Sequence, residues 1–98
     1  MIDGNSTDDT AAIASSFPLT RIVPQQSTGI ANAYNQAIGL AKGELIAFIS
    51  YDDVWMPGKL DVQAGYIVAN PTCLLSVGMV EHFLEEGATP PASFRREL

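Results

Sequence analysis

The sequence predicts an α/β domain with a mainly parallel sheet and flanking helices. Three observations predict it. Strand-like and helix-like stretches alternate along the chain, with Gly and Pro between them. Residues 44–50 (Glu-Leu-Ile-Ala-Phe-Ile-Ser) form an apolar run of strand length, which suits a parallel strand covered on both faces. Residues 29–41 repeat apolar side chains at spacings of three and four, which is helical periodicity.

The elements follow in order. Met1-Ile2 reads as the end of a strand, and Gly4-Asn5 turns the chain. Ser6 or Thr7 is expected to cap a short helix over residues 10–14. Asp8 and Asp9 are expected in its first turn, where the helix dipole favours negative charge. Pro18 ends that unit, and residues 19–23 read as a short strand closed by Pro24. In the helix over residues 29–41, Ile30, Ala33, Tyr34, Ala37, Ile38 and Ala41 form one apolar stripe, and Gly43 takes the C-terminal position. The strand over residues 44–50 runs directly into Tyr51-Asp52-Asp53. A further helix starts near Pro57, whose fixed φ suits a first helical position. Leu60, Ala64, Ile67 and Val68 make its apolar side, and Asn70-Pro71 stops it. Residues 73–84 read as one or two strands with Gly78 as a kink or bulge. Beyond Glu86 the chain is turn-like, and Pro90-Pro91 cannot join a central strand.

Composition narrows the function classes. The chain has 98 residues, enough for one modest domain. Its 47% apolar and 16% charged content excludes a disordered polyelectrolyte. With a net charge of −6 and no basic stripe, nucleic acid is not an expected partner. Cys73 is the only cysteine, so no intrachain disulfide forms, and its apolar setting reads as a small core residue. No apolar stretch reaches the roughly 18 residues that a membrane helix needs. No basic, then apolar, leader follows Met1, so a cytoplasmic location is expected.

In open parallel sheets, ligands bind outside the carboxyl ends of the strands. Asp3 and the pair Asp52-Asp53 both fall at such predicted ends. A departing nucleoside diphosphate develops negative charge, and a divalent cation held by one or two carboxylates together with phosphate oxygens neutralises it. An Asp-Asp dipeptide before a helix is also an ordinary turn and cap signal, and acidic pairs are commonly just solvated. A dinucleotide-type site is the weaker alternative. No Gly-x-Gly-x-x-Gly follows a strand, and Gly4-Asn5-Ser6-Thr7 lacks the lysine of a P-loop.

Four segments in order carry a family resemblance. They are Ile2-Asp3-Gly4-Asn5-Ser6-Thr7-Asp8-Asp9-Thr10; Gly29-Ile30-Ala31-Asn32-Ala33-Tyr34-Asn35; Ala41-Lys42-Gly43-Glu44; and Phe48-Ile49-Ser50-Tyr51-Asp52-Asp53-Val54-Trp55-Met56-Pro57-Gly58-Lys59-Leu60. Together they resemble the family 2 glycosyltransferases over residues 2–71. The resemblance implies a GT-A-type fold that transfers a sugar from a nucleotide diphosphate donor with Mn²⁺ or Mg²⁺. It makes Asp3 the acid that contacts base or ribose and Asp52 the metal ligand of the Asp-x-Asp motif. Asp53 becomes a supporting metal contact or the cap of the next helix; Asn35, near the start of its helix, is placed to reach the nucleotide or is an ordinary exposed helix residue. Ser50 stands where many relatives carry the first acid, and its hydroxyl suits a ribose or a metal-bound water better than direct ligation.

The same resemblance divides the chain into a partial nucleotide-sugar-binding domain, 1–86, and a tail, 87–98, leading toward an acceptor-side region. It implies that the family's first strand, the next helix and most of the second strand would precede Met1. The catalytic base would lie beyond Leu98, so no residue here is assigned as base, and the chain is expected to be inactive alone. His82, the only histidine, reads as a surface or half-buried strand residue. Tyr34 reads as core packing, Trp55 equally as core or as a stacking platform, and Arg95 and Arg96 as a solvated terminus. The alternative to a donor-binding region is a non-catalytic module that self-associates through exposed sheet edges.

Overall fold

The computed structural model describes residues 1–89; Pro90-Pro91, Arg95 and Arg96 lie outside them. The chain forms two compact units, Met1–Val54 and a second from Trp55 onward.

In the first unit, β1 (Ile2–Asp3) and β2 (Val23–Pro24) pair in parallel, Ile2 opposite Val23 and Asp3 opposite Pro24. Val23 N–H donates to Met1 C=O (2.9 Å), and Gln25 N–H donates to Asp3 C=O (2.8 Å). Pro24 lies between these two donors, so its missing N–H falls on the side away from β1, where a ladder loses nothing. The connection from β1 to β2 contains α1 (Thr10–Ser15), and α2 (Ile30–Leu40) follows β2 and packs on β1. This is a small parallel sheet with helices, an incomplete α/β fold.

Several boundaries differ from expectation. Residues 19–23 are not one strand, because Leu19 takes a left-handed φ of 69° and pairing with β1 begins only near Arg21, whose carbonyl accepts from the Met1 amino group (2.6 Å). Pro24 is part of β2 rather than its terminator. The cap of α1 is Asp9, not Ser6 or Thr7, and Asp8 and Asp9 precede the first turn instead of lying in it. Asp8 Oδ1 accepts from the Thr10 N–H (3.0 Å), which satisfies one of the donors a helix start leaves open. Ser6 is engaged elsewhere: both its N–H and its hydroxyl donate to Asp3. At the far end of α2, Ala41 turns extended (ψ 144°), so Gly43 is not a left-handed cap. A Cβ on Gly43 would lie 3.1 Å from the Leu45 carbonyl, and that close approach accounts for glycine.

The largest difference concerns residues 44–50, which form no strand. A strand is held by a neighbouring ladder, and no described residue supplies one here. Leu45 and Phe48 remain 46% and 48% exposed. The segment is instead tied to Tyr34 of α2, whose ring meets that of Phe48 edge to face with centroids 5.0 Å apart and whose hydroxyl lies 3.3 Å from that of Ser50. Tyr34 therefore packs, as its place on the stripe predicts.

The second unit is built on α3 (Lys59–Ala69), preceded by Gly58 at φ 79°. Pro57 sits in the turn closed by Lys59 N–H to Met56 C=O (3.1 Å) rather than in the helix. Of the expected apolar side only Ala64 and Ile67 are half-buried, while Leu60 and Val68 stay exposed; Gln63 Nε2 donates to the Ser76 carbonyl (3.3 Å). Residues 73–84 form no strand either, for the same want of a ladder, so His82 is an exposed residue outside any strand. Cys73 is half-buried rather than a core residue; its thiol donates to the Leu75 carbonyl (3.3 Å). Among the described residues no side chain is fully buried, and no helix is long and apolar enough to cross a membrane.

Two outcomes follow from these local geometries. Gly29, the residue before α2, has φ 99° and ψ 148°, a conformation essentially restricted to glycine, with open space around it. Gly29→Ala is therefore expected to cost about 1–3 kcal/mol through backbone strain alone, read as a lower denaturant midpoint and less helical circular dichroism. An unchanged midpoint would contradict that conformation. The second outcome concerns Asp8, whose carboxyl is held below its ordinary value by hydrogen bonds from the Thr10 side chain and then from the Thr10 N–H. A lowered carboxyl stabilises the folded form at neutral pH, and the contribution disappears as pH falls through the folded value. In a ¹³C carboxyl NMR titration, Thr10→Val is expected to move the Asp8 midpoint upward.

Candidate functional site

Parallel pairing sends the chain out of β1 and β2 at the same end, which brings the Asp3–Ser6 turn beside the loop over residues 25–29. At this end Asp3 is half-buried and its two carboxylate oxygens are fixed: Oδ1 accepts from the Ser6 hydroxyl (2.5 Å) and Oδ2 from the Ser6 N–H (3.2 Å). Asn5 sustains the turn with φ 70°, a left-handed value that asparagine tolerates well. Across from it, Gln25 Nε2 donates to the carbonyls of Ser27 (2.6 Å) and Gly29 (3.1 Å), curling the loop toward the start of α2. The Gln25 carboxamide oxygen lies 3.4 Å from where a Cβ on Gly4 would be, so the two turns pack closely.

Residues 50–53 form a turn after the extended segment, closed by Asp53 N–H to Ser50 C=O (3.2 Å). Ser50 is half-buried, and its hydroxyl lies 3.3 Å from that of Tyr34, a hydrogen bond either can donate. Asn35, the next residue on α2, is exposed. Asp52 and Asp53 are exposed on the turn, and neither carboxylate is bonded to another described side chain. The first unit thus links Ser50, and through it the acidic turn, to the helix that carries Asn35. It joins Asp3 directly to neither Asp52 nor Asp53. Among the described residues no group of three or more His, Cys, Asp or Glu converges on a metal-sized site. In the second unit the Lys59 ammonium sits 4.8 Å from the centre of the Trp55 ring, occupying one of its faces.

Sequence reasoning missed Gln25 and Gln36. Gln36 is half-buried on α2; its Oε1 accepts from Gln26 N–H (3.0 Å), and its Nε2 donates to Pro24 C=O (2.8 Å). The available signal was its spacing: Gln36 lies three residues after Ala33 and beside Ala37, on the packed face where a polar residue needs a partner.

Comparison with known proteins bears on this arrangement. The glycosyl transferase family 2 model matches residues 1–97. An Escherichia coli UDP-Glc:alpha-D-GlcNAc-diphosphoundecaprenol beta-1,3-glucosyltransferase, WfgD, is 34% identical over 71 residues, covering 69% of this chain and 28% of that protein. A second E. coli enzyme with the same described activity, WfaP, is 37% identical over 68 residues, covering 66% of this chain and 27% of its own length. An uncharacterized Mycobacterium bovis protein is 32% identical over 107 aligned positions, covering 98% of this chain and 31% of that protein. The chain therefore spans under a third of the length of these relatives. No solved structure matches it significantly. The match of the family model along nearly the whole chain makes this chain a member of glycosyltransferase family 2.

Proposed function

We propose that this chain is the donor-binding region of a GT-A-type glycosyltransferase and that it takes a nucleoside diphosphate sugar, with a uridine nucleotide the first to test. The observation that carries the reading is the shared end of β1 and β2, where a half-buried Asp3 is held by Ser6 beside a loop curled by Gln25. Uridine comes from two relatives whose described donor is UDP-Glc. In the complete enzyme the chemistry is displacement at the anomeric carbon with departure of the diphosphate, an inverting transfer. Asp3 binds ribose or base, Asn35 and Ser50 add contacts from α2 and the acidic turn, and Asp52, with Asp53 beside it, faces the diphosphate.

The residues present fit a divalent cation that arrives with its nucleotide. Asp52 and Asp53 offer exposed, uncommitted carboxylates, fewer than the three or more groups of a protein-built site, and Mg²⁺-type sites routinely take the rest from phosphate and water. The cation supplies neutralisation of charge on the leaving diphosphate.

A second reading, a non-catalytic module that self-associates, is favoured by one specific observation. The extended runs keep large apolar side chains in water, Leu74 at 95% and Met79 at 104% exposure among them. A hollow of about 270 Å³ on the first unit, framed by Ile2, Leu19, Val23, Ala37 and Leu40 together with Arg21, is of mixed character. The two readings are compatible.

Calorimetric titration of UDP and GDP into the chain, with Mn²⁺ and then with EDTA, tests the first. Binding is expected only with the metal, and Asp52→Ala is expected to weaken it by more than the roughly tenfold that losing even an outer-shell partner costs a metal site. No saturable binding of either nucleotide would sink the donor reading. For the second, sedimentation velocity at rising protein concentration is expected to show concentration-dependent dimers or larger species, whereas a single monomeric boundary throughout would count against it.

A further inference from the structure

We propose that Gln36 is a positioning residue of the donor site, fixing the backbone of the loop over residues 25–29 against the carboxyl end of β1. The inference rests on the donor-binding reading above. Gln36 stands in the middle of α2, a full turn and more from the helix start, and nothing in the four family-like segments assigns it a role. Yet its carboxamide bonds two backbone groups that are not its neighbours in sequence: Nε2 donates to Pro24 C=O at 2.8 Å, and Oε1 accepts from Gln26 N–H at 3.0 Å.

Those two groups flank Gln25. The N–H of Gln25 is itself bound to Asp3 C=O (2.8 Å), so the peptide unit before Gln25 is held by both β1 and α2 and the one after it by α2. With its backbone fixed, the Gln25 side chain reaches the Ser27 and Gly29 carbonyls and lies against Gly4. Gln36 therefore determines where the whole loop stands relative to Asp3. A site left loose by its supporting residues loses affinity even when every contacting group is present.

The pairing also dictates the residue type. An amide side chain has one donor end and one acceptor end, and Gln36 uses both, so its orientation is fixed by its two partners. A glutamate keeps the acceptor, but when ionised it turns a bare oxygen toward the Pro24 carbonyl. When protonated, it regains a donor there. A methionine fills the space and leaves both backbone groups unpaired.

Q36E and Q36M, compared with wild type, test the proposal. UDP binding with Mn²⁺ would be titrated between about pH 7.5 and about pH 4.5, the range that spans the approach to an ordinary glutamate midpoint. Helical circular dichroism would be recorded at each pH. At the upper pH both variants are expected to keep the wild-type helical signal and bind more weakly. The expected loss is about tenfold for Q36E, which gives up one hydrogen bond, and at least as much for Q36M, which gives up both. As pH falls, the ratio of the Q36E to the wild-type dissociation constant is expected to drop toward one, while that of Q36M stays high. A purely structural role would not produce that selective recovery at constant helicity. Wild-type affinity in both variants overturns the proposal, and so does loss of affinity that tracks loss of helicity with no recovery in Q36E. A wild-type chain that binds neither UDP nor GDP overturns the donor reading and this inference together.

Discussion

The first unit depends on α2 resting against the β1–β2 pair. Neither partner is stable by itself. An 11-residue helix is marginal in water, and a two-stranded sheet with two residues per strand has little to hold it. Each supplies what the other lacks. The helix packs on β1, and the face bearing Ala33, Tyr34, Gln36 and Ala37 is half-buried. The rest of the unit follows from this contact. It places Tyr34 where it meets Phe48, holds the extended segment through that ring, and so locates the turn that bears Asp52 and Asp53.

Because no described side chain is fully buried, apolar packing cannot set these positions to the accuracy that binding requires. Directional bonds do it instead. Asp3 is fixed by Ser6, the loop after β2 by Gln25 and Gln36, and the acidic turn by Ser50 against Tyr34. A typical intramolecular hydrogen bond contributes only about 1 kcal/mol net, but its geometry is narrow. The result is a unit with little thermodynamic reserve and a well-defined polar end. The same shortage of buried apolar surface explains why the runs over residues 44–50 and 73–84 stay open to another surface.

What was legible in the sequence divides along physical lines. Both long helices were legible, because spacings of three and four are a local property that α2 and α3 satisfy by themselves. The parallel pairing of β1 with β2 followed from the alternation of strand-like and helix-like stretches. The apolar run over residues 44–50 was read as a buried parallel strand and forms none, since a strand is a relation between two segments and only one was in view. Leu19 broke the expected second strand through a left-handed φ that no composition rule anticipates for leucine. In the candidate site, Asp3, Asn35, Ser50, Asp52 and Asp53 were nameable because they stand in motif-bearing segments. Gln25 and Gln36 were not, because a carboxamide bonded to distant backbone belongs to no motif, and the place of Gln36 on the packed face says only that it needs a partner, not which one.

Ser50 shows how the donor reading hangs together chemically. A carboxylate at this position would add a ligand and a second negative charge to the turn carrying Asp52 and Asp53. The serine hydroxyl adds neither, and it is already engaged with the Tyr34 hydroxyl, which leaves it a role in holding the turn to α2. Under the donor reading, the turn would offer a divalent cation only the one or two carboxylates of Asp52 and Asp53. The diphosphate must then provide much of the remainder, so cation and nucleotide bind as a pair whose affinities rise together. Such coupling suits a turn exposed to water, because two carboxylates held in solvent cost little to keep and would hold a cation well only once phosphate oxygens complete its coordination and offset its charge.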